Sequence, residues 1–282
     1  MAVAMIRATQ LPSGETIPVL GLGTWHLAEG RHPPDAELAA LRLGLDLGMS
    51  LIDTAEMYAD GGAERLVGQA IDGRRDEVFL VTKVLPGHAT RQGTIEACAR
   101  SLERLGTDRI DLYLLHWRGD VPLEETVEAF EQLRQEGRIR HWGVSNFDVP
   151  DLAELQRAPG GSAVETDQVL YNLMRRGIEW DLLPWCRRHG MPVMAYSPFE
   201  QGRLIGHPVL RGIGVRHHAT SAQVALAWVL AHDGVVAIPE AGTPEHVRQN
   251  HAALEIQLAP DDMLELDAAF EPPSMPVPLE VL

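Results

Sequence analysis

Two hydrophobic rhythms alternate along the chain. Short, nearly continuous apolar runs recur at 19–23 (VLGLG), 50–53 (SLID), 78–83 (VFLVTK), 110–116 (IDLYLLH), 139–145 (IRHWGVS), 163–168 (AVETDQ), 192–197 (PVMAYS) and 235–239 (VVAIP). Runs of this length predict strands, and their lack of polar alternation predicts burial on both faces. Between them lie longer stretches with apolar residues at helical spacing, such as 35–48, 91–106, 123–137 and 221–234. Several of these end in glycine, as at Gly48, Gly106 and Gly137, which is the usual helix stop. Eight strand–helix alternations imply parallel strands, and eight close into a TIM (β/α)8 barrel more naturally than they spread into an open, doubly wound sheet. One barrel domain over 1–282 is expected. Residues 6–19 carry a Pro-Ser-Gly-Glu turn between alternating runs and predict an N-terminal β-hairpin. The Pro-rich tail from 271 breaks helical structure and is expected near the barrel mouth.

Composition narrows the class. The 282 residues are 45% hydrophobic, enough for a full core, and the net charge is −16. Such an acidic chain is a poor partner for nucleic acid or an anionic membrane, and any anionic ligand would need a local positive site. The two cysteines, Cys98 and Cys186, have no CxxC neighbour, so a reducing cytoplasm is expected. No apolar run approaches the ~18 residues of a membrane span, and the N-terminus lacks a signal-peptide core.

Candidate chemistry emerges at the strand ends, because the C-terminal rim is where a TIM barrel carries its site. Strand 2 ends in Asp53, strand 3 in Lys83, strand 4 in His116-Trp117, strand 5 in Ser145-Asn146, strand 6 in Gln168 and strand 7 in Tyr196-Ser197. Strand 1 leads into Thr24-Trp25, and Tyr58 follows Asp53 by five residues. Each alone has a bland reading as a cap, a strand end or a core histidine. Together they converge on one mouth. A tyrosine titrates near 10, too high for an efficient acid, and a neighbouring ammonium is expected to lower it. A carboxylate would keep that ammonium charged, and a histidine could donate to a developing oxyanion. Asp53, Tyr58, Lys83 and His116 supply those four roles. Ser145, Asn146 and Gln168 suit a carboxamide, and Tyr196 offers a stacking face, which are the needs of a nicotinamide ring.

These residues sit in segments that resemble the aldo-keto reductase family: GMSLIDTAEMYADGGAERLVG, FLVTKV, IDLYLLHW, GRIRHWGVSNF, DQVLYNL, AYSPFEQGRL and IPEAGTPEHVRQN, in that order over about residues 15–270. The resemblance implies reduction of aldehydes or ketones by hydride from NAD(P)H in a monomer, with Tyr58 donating the proton; imines are an alternative acceptor. It implies that Thr24, Ser197, Gly202 and Leu204 line the cofactor, that Glu240, His246, Gln249 and Asn250 surround its adenosine, and that Trp25, Trp117 and Phe147 wall the substrate pocket. Family members that prefer NADP commonly carry a lysine, a serine and an arginine where this chain has Glu240, Ala241 and His246. NADPH therefore follows from family habit, while the local charge makes NADH plausible. A nucleotide-binding accessory protein on the same barrel is the rival reading; the intact set of four and the short chain argue against it. No metal is expected, since the adjacent histidines 217 and 218 read as solvated. The Rossmann and P-loop fingerprints are absent.

Overall fold

The computed structural model describes residues 6–282. A two-stranded antiparallel hairpin, β1 (Ala8–Gln10) and β2 (Thr16–Pro18), precedes eight parallel strands. These are β3 (Leu22–Gly23), β4 (Leu51–Asp53), β5 (Phe79–Val84), β6 (Ile110–Leu115), β7 (Ile139–Ser145), β8 (Asp167–Leu170), β9 (Val193–Tyr196) and β10 (Val235–Ala237), each paired with the next in chain order. The sheet closes on itself where Gly21 and Gly23 donate to the carbonyls of Ala237 and Pro239 and Ala237 donates back to Val19. A TIM barrel results, as the alternating pattern predicts.

The helices ring the sheet: α1 (Pro34–Asp46), α2 (Gly62–Ile71), α3 (Arg91–Leu105), α4 (Leu123–Gln135), α5 (Val149–Arg157), α6 (Leu182–Arg188), α7 (Pro208–Arg216), α8 (Ser221–Leu230), α9 (Pro244–Ala252) and α10 (Pro260–Ala269). Their starts follow side-chain chemistry. Thr90 and Thr243 cap α3 and α9, and Thr220 forms a reciprocal cap with Gln223 at α8. Two differences from the predicted pattern stand out. The sixth strand begins at Asp167 instead of 163, after a one-turn helix at Gly161–Ala163. Two helices fall outside the eight alternations: α7, which carries two glycines, and α10, which opens with Pro-Asp-Asp.

Strand alternation sorts the core into two layers. Leu51, Phe79, Val81, Leu112, Leu114, Met194 and Val236 point into the barrel, where Leu11 and Ile17 of the hairpin close the bottom. Residues of opposite parity, such as Leu80, Tyr113, Trp142 and Val193, pack outward under the helices. This parity positions the site. Continuing each inward column by two residues leads from Leu51 to Asp53, from Val81 to Lys83, from Leu114 to His116 and from Met194 to Tyr196. Apolar columns that fill the barrel thus end in polar groups at its upper mouth.

Candidate active site

A cavity of about 640 Å³ opens at that mouth. Behind the lining residues Asp53 and Tyr58, Lys83 is fully buried, and its three N–H bonds are all taken: Asp53 Oδ2 at 2.8 Å, the Thr54 carbonyl at 2.9 Å and the Tyr58 hydroxyl at 3.2 Å. The Gln168 amide donates to the other Asp53 oxygen at 2.7 Å. Tyr58 opens a tight turn, Tyr58–Gly61, in which Ala59 and Asp60 take left-handed backbone angles. The turn folds the tyrosine back over the end of β4. The His116 ring meets that of Tyr58 edge-on at 5.8 Å.

Burial dominates the electrostatics. It pushes Asp53 up and Lys83 down, and their mutual attraction opposes both shifts. It also pushes Tyr58 well above its ordinary value, with Asp53 adding to the rise. The expected lowering of Tyr58 by Lys83 is therefore not met. The ammonium is matched by Asp53, so the phenol sees a nearly neutral pair in a poorly solvated site. His116 is driven down to about 2 by burial and then by Lys83, so its imidazole is neutral at physiological pH.

One wall carries amide and hydroxyl groups. Asn146 sits at φ 58° and its amide donates to the His116 carbonyl at 3.1 Å, while its oxygen accepts from the Tyr196 hydroxyl at 2.8 Å. Ser145 donates to the Gln168 carbonyl at 2.7 Å. Ser145, Asn146, Gln168, Tyr196, Ser197 and Gly202 all line the cavity. At its far end lie Glu240, His246, Gln249 and Asn250. Asn250 is buried, and its Nδ2 has no partner among the described residues, so an unused donor waits there. Trp25 and Trp117 form the outer walls. The tail returns over the mouth: Glu280 pairs with Arg175, and Val281 and Leu282 complete the lining.

Three expected lining residues face elsewhere. Phe147 is fully buried in the outer layer, because the left-handed turn at Asn146 reverses the strand parity and sends the ring under α5. Leu204 also packs in the outer layer, after left-handed residues Gln201 and Gly202 turn the chain inward. Thr24 has outward parity, and its hydroxyl bonds the Asp53 carbonyl at 2.9 Å. Conversely, His26, Arg31, Met57 and Ile205 line the cavity and were not singled out from the sequence. The run TWHLAEGRHPP, with two histidines and an arginine against one glutamate, carried a readable signal for the first two.

The wall of amide and hydroxyl groups, the Tyr196 face and the orphan Asn250 amide fit a nicotinamide dinucleotide. Comparison with known proteins gives the same picture. The aldo/keto reductase family model matches residues 19–271. The methylglyoxal reductase YeaE of Escherichia coli K12 is 51% identical over 98% of this chain and 99% of its own. A glyoxal reductase of Bacillus subtilis is 33% identical over 95% of this chain and 94% of its own. Among solved structures, an aldo/keto reductase from Klebsiella pneumoniae in complex with NADP and acetate is 50% identical, with a TM-score of 0.95 over 99% of this chain and all of its own.

Proposed function

The chain belongs to the aldo/keto reductase family, an oxidoreductase that reduces aldehyde or ketone carbonyls with a nicotinamide cofactor, and from that premise we propose that it acts on small 2-oxoaldehydes with NADPH. The observation that carries the reading is the Asp53–Lys83–Tyr58 chain of hydrogen bonds beneath a neutral His116. When bound, the nicotinamide supplies the hydride. Tyr58 donates the proton to the carbonyl oxygen. Its raised pKa keeps the phenol loaded throughout the neutral range, which suits reduction. Lys83, oriented by Asp53, offsets the negative charge that grows on the phenol oxygen as the proton leaves. His116, neutral, donates a hydrogen bond to the same carbonyl oxygen and holds it in line.

Ser145, Asn146 and Gln168 hold the carboxamide, and Tyr196 packs on the ring face. Gln168 has already given one N–H to Asp53, so its oxygen is the group left to accept from the carboxamide. Trp25, Trp117 and the terminal Val281-Leu282 form an apolar collar that shields the reacting groups from water. The relatives that carry such names support the 2-oxoaldehyde class. The test is NADPH consumption, followed at 340 nm, with methylglyoxal against a simple aldehyde and a simple ketone. A kcat/KM for methylglyoxal no higher than for the simple aldehyde would refute the substrate class. NADH in place of NADPH, under the same conditions, tests the cofactor.

A further inference from the structure

We propose that the 2′-phosphate of the dinucleotide is selected in this chain by side-chain donors on the loop between β3 and α1, chiefly Arg31 and His32, instead of by a basic side chain at the end of β10. The inference rests on the NADPH reading above and names the residues that would make it work.

The end of β10 itself is ill suited to a phosphate. Glu240 is acidic, Ala241 is buried in the outer layer, and Thr243 is occupied in capping α9. The remaining charges of that first turn are Glu245 and His246. Opposite them stands the β3–α1 loop. His26 and Arg31 line the same cavity as Glu240, His246 and Asn250. His32 lies edge-on to His246, with ring centroids 6.2 Å apart. It rests directly on the turn into α9: a Cβ built on Gly242 would come 2.2 Å from His32 Cδ2. Only glycine leaves room for the imidazole there.

The loop is also held in shape. The Ala28 N–H donates to the buried Glu37 carboxylate at 2.9 Å, Leu27 is buried, and Pro33-Pro34 start α1, which packs on α9. Glu29 takes His26 at 2.9 Å but reaches Arg31 only through Nε at 3.6 Å, which leaves the guanidinium fork open. None of these side chains forms an ion pair with Glu240 among the described residues, although the burial that raises its carboxyl is opposed by His32, His26, His246 and Arg31 in turn. A phosphate oxygen between the loop and the start of α9 would meet these donors together.

Isothermal titration of 2′,5′-ADP and 5′-AMP, with tryptophan-fluorescence titration of NADPH and NADH, tests the assignment without turnover. Arg31→Ala should weaken 2′,5′-ADP and NADPH by about tenfold and leave 5′-AMP and NADH unchanged. Gly242→Ala, which displaces His32, should act in the same direction, and Glu240→Gln should tighten NADPH. Wild-type protein that binds neither dinucleotide would overturn the cofactor reading and the inference with it. Wild-type protein that binds NADPH, with the NADPH to NADH ratio unchanged in the Arg31→Ala/His32→Ala variant, would overturn the inference alone.

Discussion

Replacing Tyr58 with phenylalanine removes one oxygen and leaves the ring that meets His116 edge-on. The structural cost is small. Lys83 loses its longest contact, 3.2 Å, and keeps Asp53 at 2.8 Å and the Thr54 carbonyl at 2.9 Å, so no buried charge is stranded. A single exchanged hydrogen bond of this kind is worth about 1 kcal/mol. The catalytic cost is larger, because no other proton donor lies at the cavity floor. His116 is neutral, with its Nδ1 buried and unpartnered, and the Lys83 ammonium stays held by Asp53 and the Thr54 carbonyl. Positioned proton transfer contributes roughly 10²–10⁴-fold, or about 3–5 kcal/mol at 1.36 kcal/mol per decade. The expected variant therefore unfolds within a few degrees of wild type, binds NADPH with unchanged affinity and loses at least 10²-fold in kcat. Steady-state absorbance at 340 nm, a thermal melt and a tryptophan-fluorescence titration read the three quantities separately. Wild-type kcat in a folded, nucleotide-binding Tyr58→Phe protein would refute the assignment of the acid.

Three further outcomes are expected. Because Tyr58 is held well above its ordinary value of 10.0, the reduction rate should stay level through neutral pH and fall only in strong alkali; a decline between pH 6 and 8, where neither Tyr58 nor His116 titrates, would refute Tyr58 as the acid. Lys83→Met leaves Asp53 buried and unpaired and should cost about 3–5 kcal/mol in urea unfolding, with part restored in the Lys83→Met/Asp53→Asn protein; equal stability of the single and double variants would contradict that pairing. At the barrel bottom, burial works to lower His141, but its bonds to Glu165 and Glu15 outweigh burial and raise it. A raised histidine stabilises the fold fully below its ordinary 6.5 and loses that contribution as pH climbs through the raised value, so His141→Gln should flatten the stability profile above 6.5, and an unchanged profile would exclude this tie.

Legibility in the sequence followed strand parity. Asp53, Lys83 and His116 were readable because each continues an inward column of apolar residues by two positions, so the strand pattern alone aims them at the mouth. Gln168 was readable by residue type, though its strand begins later than the apolar run suggests. Phe147 and Leu204 were misplaced because parity holds only while the strand does. One left-handed residue, Asn146, redirects the chain before Phe147, and a run of them, Glu200, Gln201 and Gly202, does so before Leu204. The raised Tyr58 was misjudged for a different reason. A lysine beside a tyrosine lowers its pKa in isolation, but here the lysine arrives already matched by Asp53, and burial of the whole trio decides the sign.

Glu240 is where reading along the chain fails and closure of the barrel supplies the answer. The eighth and first barrel strands come from opposite ends of the sequence, yet Gly23 and Glu240 bridge in the closed sheet. Whatever follows β3 must therefore stand beside whatever follows β10. Taken alone, the segment after β10 offers an acid, a buried alanine, one histidine and, a turn further on, the exposed Arg248, a weak match to a phosphate. Closure sets the β3–α1 loop with His26, Arg31 and His32 against it, and the bare backbone of Gly242 lets His32 approach. An acid at one strand end can thus coexist with an anion subsite, because the compensating charge lies across the seam. Substituting Glu240 alone therefore tests only half of the corner; pairing it with Arg31→Ala separates repulsion from the acid from attraction by the loop. If the two changes act on NADPH affinity independently, their effects on its logarithm should add. Strong non-additivity would mean that Glu240 and Arg31 act through each other and not through the phosphate.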